Sequence, residues 1–515
     1  MKRIIIIAIM TAIIATFTGC NHSNEASVFE GAIQIELSDA GIKADGESIG
    51  TNTDAAVYIA NDIVYYEAGH DFTYGEGSES DAHTEEEAFA HTVVHISESG
   101  TYCLTGELSK GQIAIDLGED AEDDPEAVVT LILNDVDITC EVAPAIIFYN
   151  VYECGNADEE EATYEVDTSA AGANVLIADG TSNTVNGSYV ARIYKPDSVE
   201  LNDAGTEVED AKKLHKYDAA FYSKMSMNIS GDNQGTGILN INAENEGLDS
   251  EMHLTINGGN ININSGNDGI NTNEDGISVT TINGGVLRII VTGDTGEGDG
   301  IDSNGWLVIN DGTVMAEACS DSADAGIDSD MGIYINGGTV MATGHMLDHI
   351  EDGGQTYAVF QFAQAYDGAD TIYLKDASGE TVMEYAPENR YSVLIFSSFH
   401  LKEGTYTLWS GETPLAGQSM IGMQGGPGGG MNSGGRPEMP EGLSPGEMMP
   451  PDFPENGDFG EMPEAPEFPE NFEMPEGIQP PMNHPNQFST NSGELSTDFK
   501  TIEGANMFGN ITEAE

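Results

Sequence analysis

The stretch that decides the fold is a turn motif that reads Ile-Asn-Gly-Gly at residues 256–259. It returns as Ile-Asn-Gly-Gly at 282–285 and 335–338, and as Ile-Asn-Asp-Gly at 309–312, at intervals of 26, 27 and 26 residues. A fixed period between roughly 20 and 50 residues is typical of a solenoid, in which each repeat packs only on its neighbours.

The segments beside these turns have the alternation of β-strands. Apolar residues recur at every second position in 254–256, 261–263, 279–282, 307–309 and 333–335. None of these segments has the i, i+3, i+4 spacing of a helix. Short strands without helices bury their apolar faces by stacking, so the sequence predicts an all-β fold whose centre is a parallel β-helix.

The turn asparagines have two interpretations, and both can hold. Stacked repeats lie about 4.8 Å apart, which would place each Asn on the next one and form a ladder of side-chain amides. In the second interpretation, Asn and Gly simply make tight turns, because both residues tolerate positive φ angles.

An acidic bend precedes each repeat. The bends read Glu-Gly-Leu-Asp-Ser at 246–250, Asp-Gly-Ile-Asn at 268–271, Asp-Gly-Ile-Asp-Ser at 299–303 and Gly-Ile-Asp-Ser-Asp at 326–330. Asp249, Asp302 and Asp328 each lie seven residues before a turn isoleucine, and Asn271 joins them if 273–276 is an insertion. Stacked repeats would line these oxygens up, and adjacent carboxylates raise one another's pKa unless a cation balances them.

The bends therefore predict a bound cation, because Arg288 is the only Lys or Arg between residues 225 and 344. Calcium suits mixed oxygen donors, since it accepts about 6 to 8 of them at about 2.3 to 2.6 Å. The predicted calcium ligands are Asp249, Asp268, Asn271, Asp299, Asp302, Asp324, Asp328 and Asp330. The structural alternative is a solvated acidic edge in which Asp serves the turns.

The overall charge excludes several kinds of partner. The 515 residues include 16 Lys and Arg against 89 Asp and Glu, for a net charge of −73. This balance argues against nucleic acid, whose binding depends on neutralised phosphates, and against electrostatic attraction to anionic lipid. An acidic polymer such as pectin would be repelled unless a divalent cation bridged the charges. The charge also fits a solubility device or a salt adaptation.

The N-terminus has the pattern of an export signal. Two basic residues precede an apolar run at 4–17, and Thr18-Gly19 leads to Cys20. This end resembles the lipobox of bacterial lipoproteins, although Phe17 stands where Leu is commonest. We expect residues 1–19 to be a signal peptide and Cys20 to be acylated, which would place the protein outside the cell and anchor it to the membrane by lipid alone. A plain secreted protein is the alternative.

The rest of the chain divides by composition. We expect an acidic segment with the first strands at 20–92, the β-helix at 93–352, and a small antiparallel β unit at 353–410 that caps the open end of the solenoid. The charged insertions 158–165 and 194–216 read as surface loops. Residues 411–515 are rich in Pro, Gly, Met and Glu and predict a disordered tail.

Two kinds of functional side chain stand out in the repeats. Arg288 is the lone candidate base for β-elimination from a uronate, the reaction of pectate-lyase-type enzymes on this kind of solenoid. Trp306 and Tyr334 are the best two candidates to stack on sugar rings, and the alternative, ordinary strand packing, is the simpler explanation of both.

The chain resembles a known family, the bacterial carbohydrate-binding, calcium-associated lipoproteins with a pectate-lyase-like right-handed parallel β-helix. The resemblance rests on residues 218–224 (Asp-Ala-Ala-Phe-Tyr-Ser-Lys), the Asp-Gly-Ile and Ile-Asn-Gly-Gly repeats, and the segments 100–106, 111–113, 397–398 and 404–408. It covers roughly residues 96–409, and one repeat departs from it by reading Asp324-Ala325-Gly326. The resemblance implies binding of plant cell-wall polysaccharide without cleavage.

The sequence thus leads to one hypothesis and two alternatives. We expect a non-catalytic cell-surface protein that binds calcium and a plant cell-wall or other polysaccharide, where repeated weak sites add avidity. The first alternative is a structural adhesin or surface-layer protein without a sugar ligand. The second is a calcium-dependent polysaccharide lyase.

Overall fold

The computed structural model describes residues 29, 31–156, 158–202, 204–420 and 495–514. The predicted signal peptide, Cys20 and most of the predicted tail lie outside the described residues. In the described ranges the fold is all-β with large mixed sheets, as predicted, and the helical segments are Glu85–Phe89, Glu119–Asp123 and Pro196–Ser198. No helix in these ranges has both the length and the apolar character needed to cross a bilayer.

The repeat region consists of strands that pair in parallel with the equivalent strand one repeat later. The first row contains Ala173–Ile177, Met227–Gly231, Leu254–Ile256, Val279–Ile282, Trp306–Ile309 and Gly332–Ile335. The second row contains Ser182–Gly187, Ile238–Ala243, Asn260–Ser265, Val286–Val291, Thr313–Glu317 and Thr339–Gly344. The five strands predicted from alternation all lie in these rows and are confirmed. That the rows form one coil remains a prediction.

The two rows begin at one long strand, Val129–Cys140, which pairs with members of both. Gly100–Leu108 and then Ile33–Leu37 extend this edge in parallel, and the short strands Lys43–Ala44 and Glu47–Ser48 add an antiparallel border. The first strand predicted in the N-terminal segment is therefore present.

The core of the repeats is a line of turn isoleucines. Strand pairing places Ile256, Ile282 and Ile309 in one register, and each is at most 1% exposed. Burying an isoleucine side chain contributes roughly 1.5 to 3 kcal/mol. Stacking of equivalent isoleucines therefore stabilises each repeat against the next.

The ladder of turn asparagines is confirmed, whereas the positive φ expected of the turns is found at their glycines and not at their asparagines. Asn283 donates to the Asn257 side chain at 3.0 Å, and Asn310 and Asn336 continue this ladder at 2.9 Å each. The last glycine of every turn has a positive φ, for example 88° at Gly285, which other residues rarely adopt.

A separate seven-stranded sheet carries the first two acidic bends. Its order is Val57–Ala60, Thr92–Ile96, Gly111–Asp116, Ile146–Asn150, Ala219–Ser223, Glu246–Ser250 and Ile270–Thr272. All neighbours are parallel except the first pair. Its first strand, Val57–Ala60, lies in the acidic segment at 20–92 where the first strands were expected.

The insertion 194–216 lies at the surface, as predicted, but the expectation that it is a loop is wrong. The strands Val190–Tyr194 and Lys213–Tyr217 pair antiparallel, and Glu200–Leu201 pairs with Val208–Asp210 beyond them. Partners separated by about twenty residues leave no local turn signal, which is why composition suggested a loop. We call residues 190–217 the inserted hairpin.

The C-terminal unit closes the last repeat, as the predicted cap requires. Tyr391–Ser398 pairs antiparallel with the repeat strand Thr339–Gly344 and with Tyr357–Tyr366. A second group of strands completes the unit: Ile372–Asp376, Thr381–Tyr385, Gly404–Ser410 and Thr413–Ser419.

The prediction of a disordered tail over 411–515 is wrong at both of its ends. Besides Thr413–Ser419, the strands Phe499–Thr501 and Ala505–Glu513 belong to the C-terminal unit. Phe499 and Phe508 pack on Phe360 in a second hydrophobic core. The alternating apolar residues after 498 were hidden in the Pro- and Glu-rich composition of the whole segment.

Candidate metal centre

The acidic bends are brought into register by strand pairing. Asp249 pairs with Asn271, and Ile270 bridges to Ile301, next to Asp302 in the following repeat. The amide of Asp328 continues the order by donating to the Ile301 carbonyl at 2.7 Å. We call the aligned set the acidic column: Glu246, Asp249, Asp268, Asn271, Asp299, Asp302 and Asp328.

The glycine of each bend explains how the repeats come so close here. A Cβ on Gly247 would lie 2.5 Å from the Gly269 carbonyl oxygen, and one on Gly269 would lie 2.6 Å from that of Gly300. Any other residue would push the repeats apart. The following Ile270 and Ile301 are fully buried, so the flanking acidic side chains are left on the outer side.

Three carboxylates of the acidic column converge. Asp299, Asp302 and Asp328, which we call the carboxylate triad, each place one carboxylate oxygen within 4.8 Å of the others. Two oxygens bound to one calcium at about 2.3 to 2.6 Å lie at most roughly 5 Å apart. The triad therefore has the spacing that a shared cation requires.

The electrostatics of the triad favour a balancing charge. Burial, together with Asp268 and Asp328, raises the pKa of Asp299 to about 9. Burial and nearby carboxylates, led by Asp268 for Asp302 and by Asp348 for Asp328, raise the pKa values of these two aspartates to about 7. Without a cation, the protein holds protons on this triad at neutral pH.

Backbone hydrogen bonds occupy only part of each carboxylate. The amide of Asp299 donates to Asp268 Oδ1 at 2.7 Å, and the amide of Ala325 donates to Asp299 Oδ1 at 2.5 Å. These bonds orient the side chains along the acidic column. The second oxygen of each carboxylate is left for another partner.

Unpartnered oxygens mark both ends of the acidic column. Glu246 Oε2, Asp249 Oδ2 and Asn271 Oδ1 are buried without a hydrogen-bond partner, and so is Asp348 Oδ2 near Asp328. A buried oxygen without a partner is costly. We call Glu246, Asp249 and Asn271 the buried end of the column.

The residues of the acidic column fit a hard cation. All the side-chain donors are carboxylate or amide oxygens, which suit calcium or magnesium rather than zinc or copper. The triad spacing and the partnerless Asp348 Oδ2 near Asp328 are the observations of this structure that support the fit.

Two predicted ligands lie off the acidic column. Asp324 instead accepts from the Gly298 amide at 2.6 Å and from the Ser322 hydroxyl, because Ala325 occupies the position opposite Asp299. Asp330 is exposed beyond the triad, although its charge contributes to the raised pKa of Asp302.

Sequence reasoning missed two members of this region, Glu246 and Asp348. Glu246 opens a Glu-Gly-Leu-Asp bend with the same spacing as Asp-Gly-Ile-Asp, so the pattern could have identified it. Asp348 lies after the last repeat, where no periodic signal remains.

A family comparison gives this geometry a context. The family model described as carbohydrate-binding domain-containing protein matches residues 90–427, well over half of the chain. The chain belongs to this family. No curated protein matches the sequence. A solved structure of a polysaccharide lyase-like protein from C. thermocellum, a gadolinium derivative, is 19% identical, with a TM-score of 0.34, over 60% of this chain and 90% of that chain.

The two aromatic residues predicted to stack on sugars in this member of the carbohydrate-binding domain family are covered. Trp306 is only 9% exposed and packs with Val279 and Val308 under Ala162 and Val166. This corrects the expectation of an open ring at 306. The charged insertion 158–165 and the adjacent Val166 lie across this face of the strand. The sequence pattern does not indicate this contact.

Tyr334 is covered in the same way. Tyr164 from the insertion stacks on its ring, with centroids 4.2 Å apart and planes 22° from parallel. One face of the Tyr334 ring is therefore already occupied by protein.

Arg288 does not have the environment of a catalytic base. Its guanidinium donates to Glu388 Oε1 at 2.7 Å, in an ion pair between the repeats and the C-terminal unit. It also lies in the second row of repeat strands, whereas the acidic column follows the seven-stranded sheet. The ion pair with Glu388 indicates that Arg288 helps to hold the C-terminal unit against the repeats.

A cleft of about 790 Å³ lies beside the acidic column, under the inserted hairpin. Its walls include Arg192, Lys213 and Tyr217 from the hairpin, and Asn273 and Asn304 from the repeats. Clefts of this size hold small ligands or a few units of a polymer. Both charged and hydrogen-bonding groups are available in it.

Proposed function

We propose that the chain is a non-catalytic polysaccharide-binding protein whose repeats form a parallel β-helix with a calcium site at the carboxylate triad. The observation that carries this proposal is the match of residues 90–427 to a carbohydrate-binding domain family. The cleft under the inserted hairpin supports it by offering polar and aromatic side chains of the kinds that recognise sugar hydroxyls and rings.

The calcium part of the proposal is supported by the triad. Asp299, Asp302 and Asp328 would hold the ion, with Asp268 adjacent. Bound calcium would supply positive charge that this strongly acidic chain otherwise lacks. Because Asp302 and Asp328 come from successive repeats, sharing an ion would link the repeats and keep the sugar-binding surface rigid.

A pull-down on insoluble polysaccharides tests the proposal. We expect the purified chain to sediment with at least one of cellulose and pectin, and to sediment less after chelation. The triple variant Asp299→Asn, Asp302→Asn, Asp328→Asn should behave in calcium as the wild type does with chelator. Asp311→Asn is the matched control, because Asp311 is exposed at a turn away from the acidic column.

The pull-down, together with an ultraviolet assay of its supernatant, separates the alternatives. An adhesin or surface-layer protein without a sugar ligand would remain in the supernatant with every polysaccharide. A lyase would release unsaturated uronate, which ultraviolet absorbance detects. We expect no such release, and steady release would overturn the non-catalytic assignment.

We also propose that the protein is displayed outside the cell on a lipid-modified Cys20. The sequence motif Thr18-Gly19-Cys20 supports this. Metabolic labelling with a fatty acid should mark the wild type and leave Cys20→Ala unlabelled. Equal labelling of both chains would contradict lipid attachment at this residue.

A further inference from the structure

The buried end of the acidic column has a feature that the triad lacks, a nearby lysine. Lys216, on the inserted hairpin, has a side chain that is only 19% exposed. Its ammonium lies 3.0 Å from Asp218 Oδ2 and donates to Asn273 Oδ1 at 3.2 Å. A lysine held this deeply is unusual unless carboxylates offset the loss of hydration.

A chain of amides connects Lys216 to the two buried carboxylates. Asn271 donates to both Glu246 Oε1 and Asn273 Oδ1 at 3.2 Å, and Asn273 donates to Asp249 Oδ1 at 2.8 Å. Each carboxylate thus has one oxygen engaged by an amide, and the other oxygen has no hydrogen-bond partner. The lysine acts on both carboxylates through its charge without touching either.

The charge of Lys216 is firmly held. Burial opposes it, but Asp218, Glu246 and Asp249 together outweigh burial and raise the lysine pKa. At neutral pH the buried end therefore carries a permanent internal cation.

The two ends of the acidic column differ in the cation that accompanies them. At the buried end, the positions equivalent to Asp302 and Asp328 are a carboxylate, Asp249, and an amide, Asn271, and Lys216 lies beside them. At the triad, where all three positions are carboxylates, no Lys or Arg of the described residues forms an ion pair with them. The buried end thus keeps two carboxylates, Glu246 and Asp249, beside an internal cation, whereas the triad has three carboxylates and no ion-paired lysine or arginine among the described residues.

From this arrangement we propose that Lys216 is the built-in cation of the buried end and excludes a divalent ion from Glu246, Asp249 and the oxygen atoms around them. The inference rests on the proposed calcium site at the triad only for the comparison between the two ends. Removing the lysine charge should convert the buried end into a further divalent-cation site with Asp218, Glu246, Asp249 and the Asn273 amide oxygen as candidate ligands.

The test compares calcium binding by the full chain and by Lys216→Met, which keeps the length of the side chain and removes its charge. With calcium alone as the probe, titration calorimetry should count one more bound ion per chain for Lys216→Met than for the wild type. The calcium-induced rise in Tm should also be larger for this variant. Lys212→Met is the matched control, because Lys212 is exposed and lies next to the same strand, and it should match the wild type in both measurements.

A second variant and a refolding measurement distinguish loss of the lysine charge from loss of the fold. Lys216→Arg keeps the charge and should bind as many ions as the wild type. If Lys216→Met is unfolded in chelator, recovery of the wild-type circular dichroism spectrum on adding calcium supports the proposal, and no recovery contradicts it. Equal ion counts and equal Tm rises for Lys216→Met and the wild type would overturn it. A wild type that binds no calcium would refute the triad proposal alone, since a gain of one ion in Lys216→Met could still be measured.

Discussion

At the scale of single residues, the acidic column shows how position changes the chemistry of one side chain. Asp311 and Asp302 lie in the same repeat, yet Asp311 is exposed at a turn while Asp302 is mostly buried among other carboxylates. Burial and the nearby Asp268 both disfavour the charge of Asp302 and raise its pKa. An aspartate of the carboxylate triad therefore needs either a proton or a metal ion.

The raised pKa values predict an unusual pH dependence of stability. Asp299 and Asp302 have pKa values of about 9 and 7 in the folded chain, against about 3.9 when unfolded. The folded state then binds more protons between pH 4 and 9, so the free energy of unfolding of calcium-free protein should fall as pH rises through this window. Urea denaturation at pH 5 and pH 8.5 in chelator measures the fall.

Saturating calcium provides the control for this prediction. A bound ion favours the ionised carboxylates, so the loss of stability between pH 5 and 8.5 should shrink when calcium is present. The triple Asn variant should also lose less stability over this range in chelator. Calcium-free wild type that is as stable at pH 8.5 as at pH 5 would show that the carboxylates of the acidic column do not titrate as described.

At the scale of elements, each repeat is stabilised on the inside by its turn isoleucine and on the outside by its turn asparagine. Ile282→Ala removes a side chain that is 1% exposed between Ile256 and Ile309. We expect it to lower the free energy of unfolding by about 2 to 5 kcal/mol, because a cavity is left in a stack that cannot collapse. Chemical denaturation of the two proteins gives the difference.

The comparison residue for Ile282 is Val286, which is 39% exposed in the next strand. Val286→Ala should change the stability by no more than about 0.5 kcal/mol. A loss at Val286 as large as that at Ile282 would mean that the repeats are not held together by the isoleucine stack.

The elements also show which parts of the fold can be predicted from sequence. Period and alternation located the repeat strands and the asparagine ladder, because both depend on neighbours one repeat away. The strand pairs of the inserted hairpin and the return of Tyr164 onto Tyr334 could not be predicted, since they join residues with no shared pattern. For the same reason most of the acidic column was found at its periodic positions, Glu246 excepted, while Lys216 and Asp348, which lie outside the period, were missed.

At the scale of the whole molecule, the described parts on either side of residues 421–494 form one C-terminal unit. Phe499 and Phe508 join Phe360 and Phe396 in its core. Glu317 of the repeats accepts from the Tyr385 hydroxyl and from the amides of Glu388 and Asn389 at 2.7 to 2.8 Å, which fixes the unit on the last repeats.

This shared core predicts that a residue close to the end of the sequence supports the fold. Phe508→Ala should destabilise the protein by about 3 to 5 kcal/mol, because the ring is 2% exposed and packs on two other phenylalanines. Differential scanning calorimetry of the full chain should show the C-terminal unit melting earlier. Phe399→Ala, at a ring that is 65% exposed, is the control, and equal effects of the two changes would contradict the described core.

The antiparallel partner of strand Thr339–Gly344 has a consequence for assembly. Tyr391–Ser398 saturates the amide and carbonyl groups that this strand would otherwise offer to a further parallel strand. A second molecule therefore finds no template here for head-to-tail polymerisation. The same strand thus acts as a terminator for the second row of a periodic, self-complementary backbone.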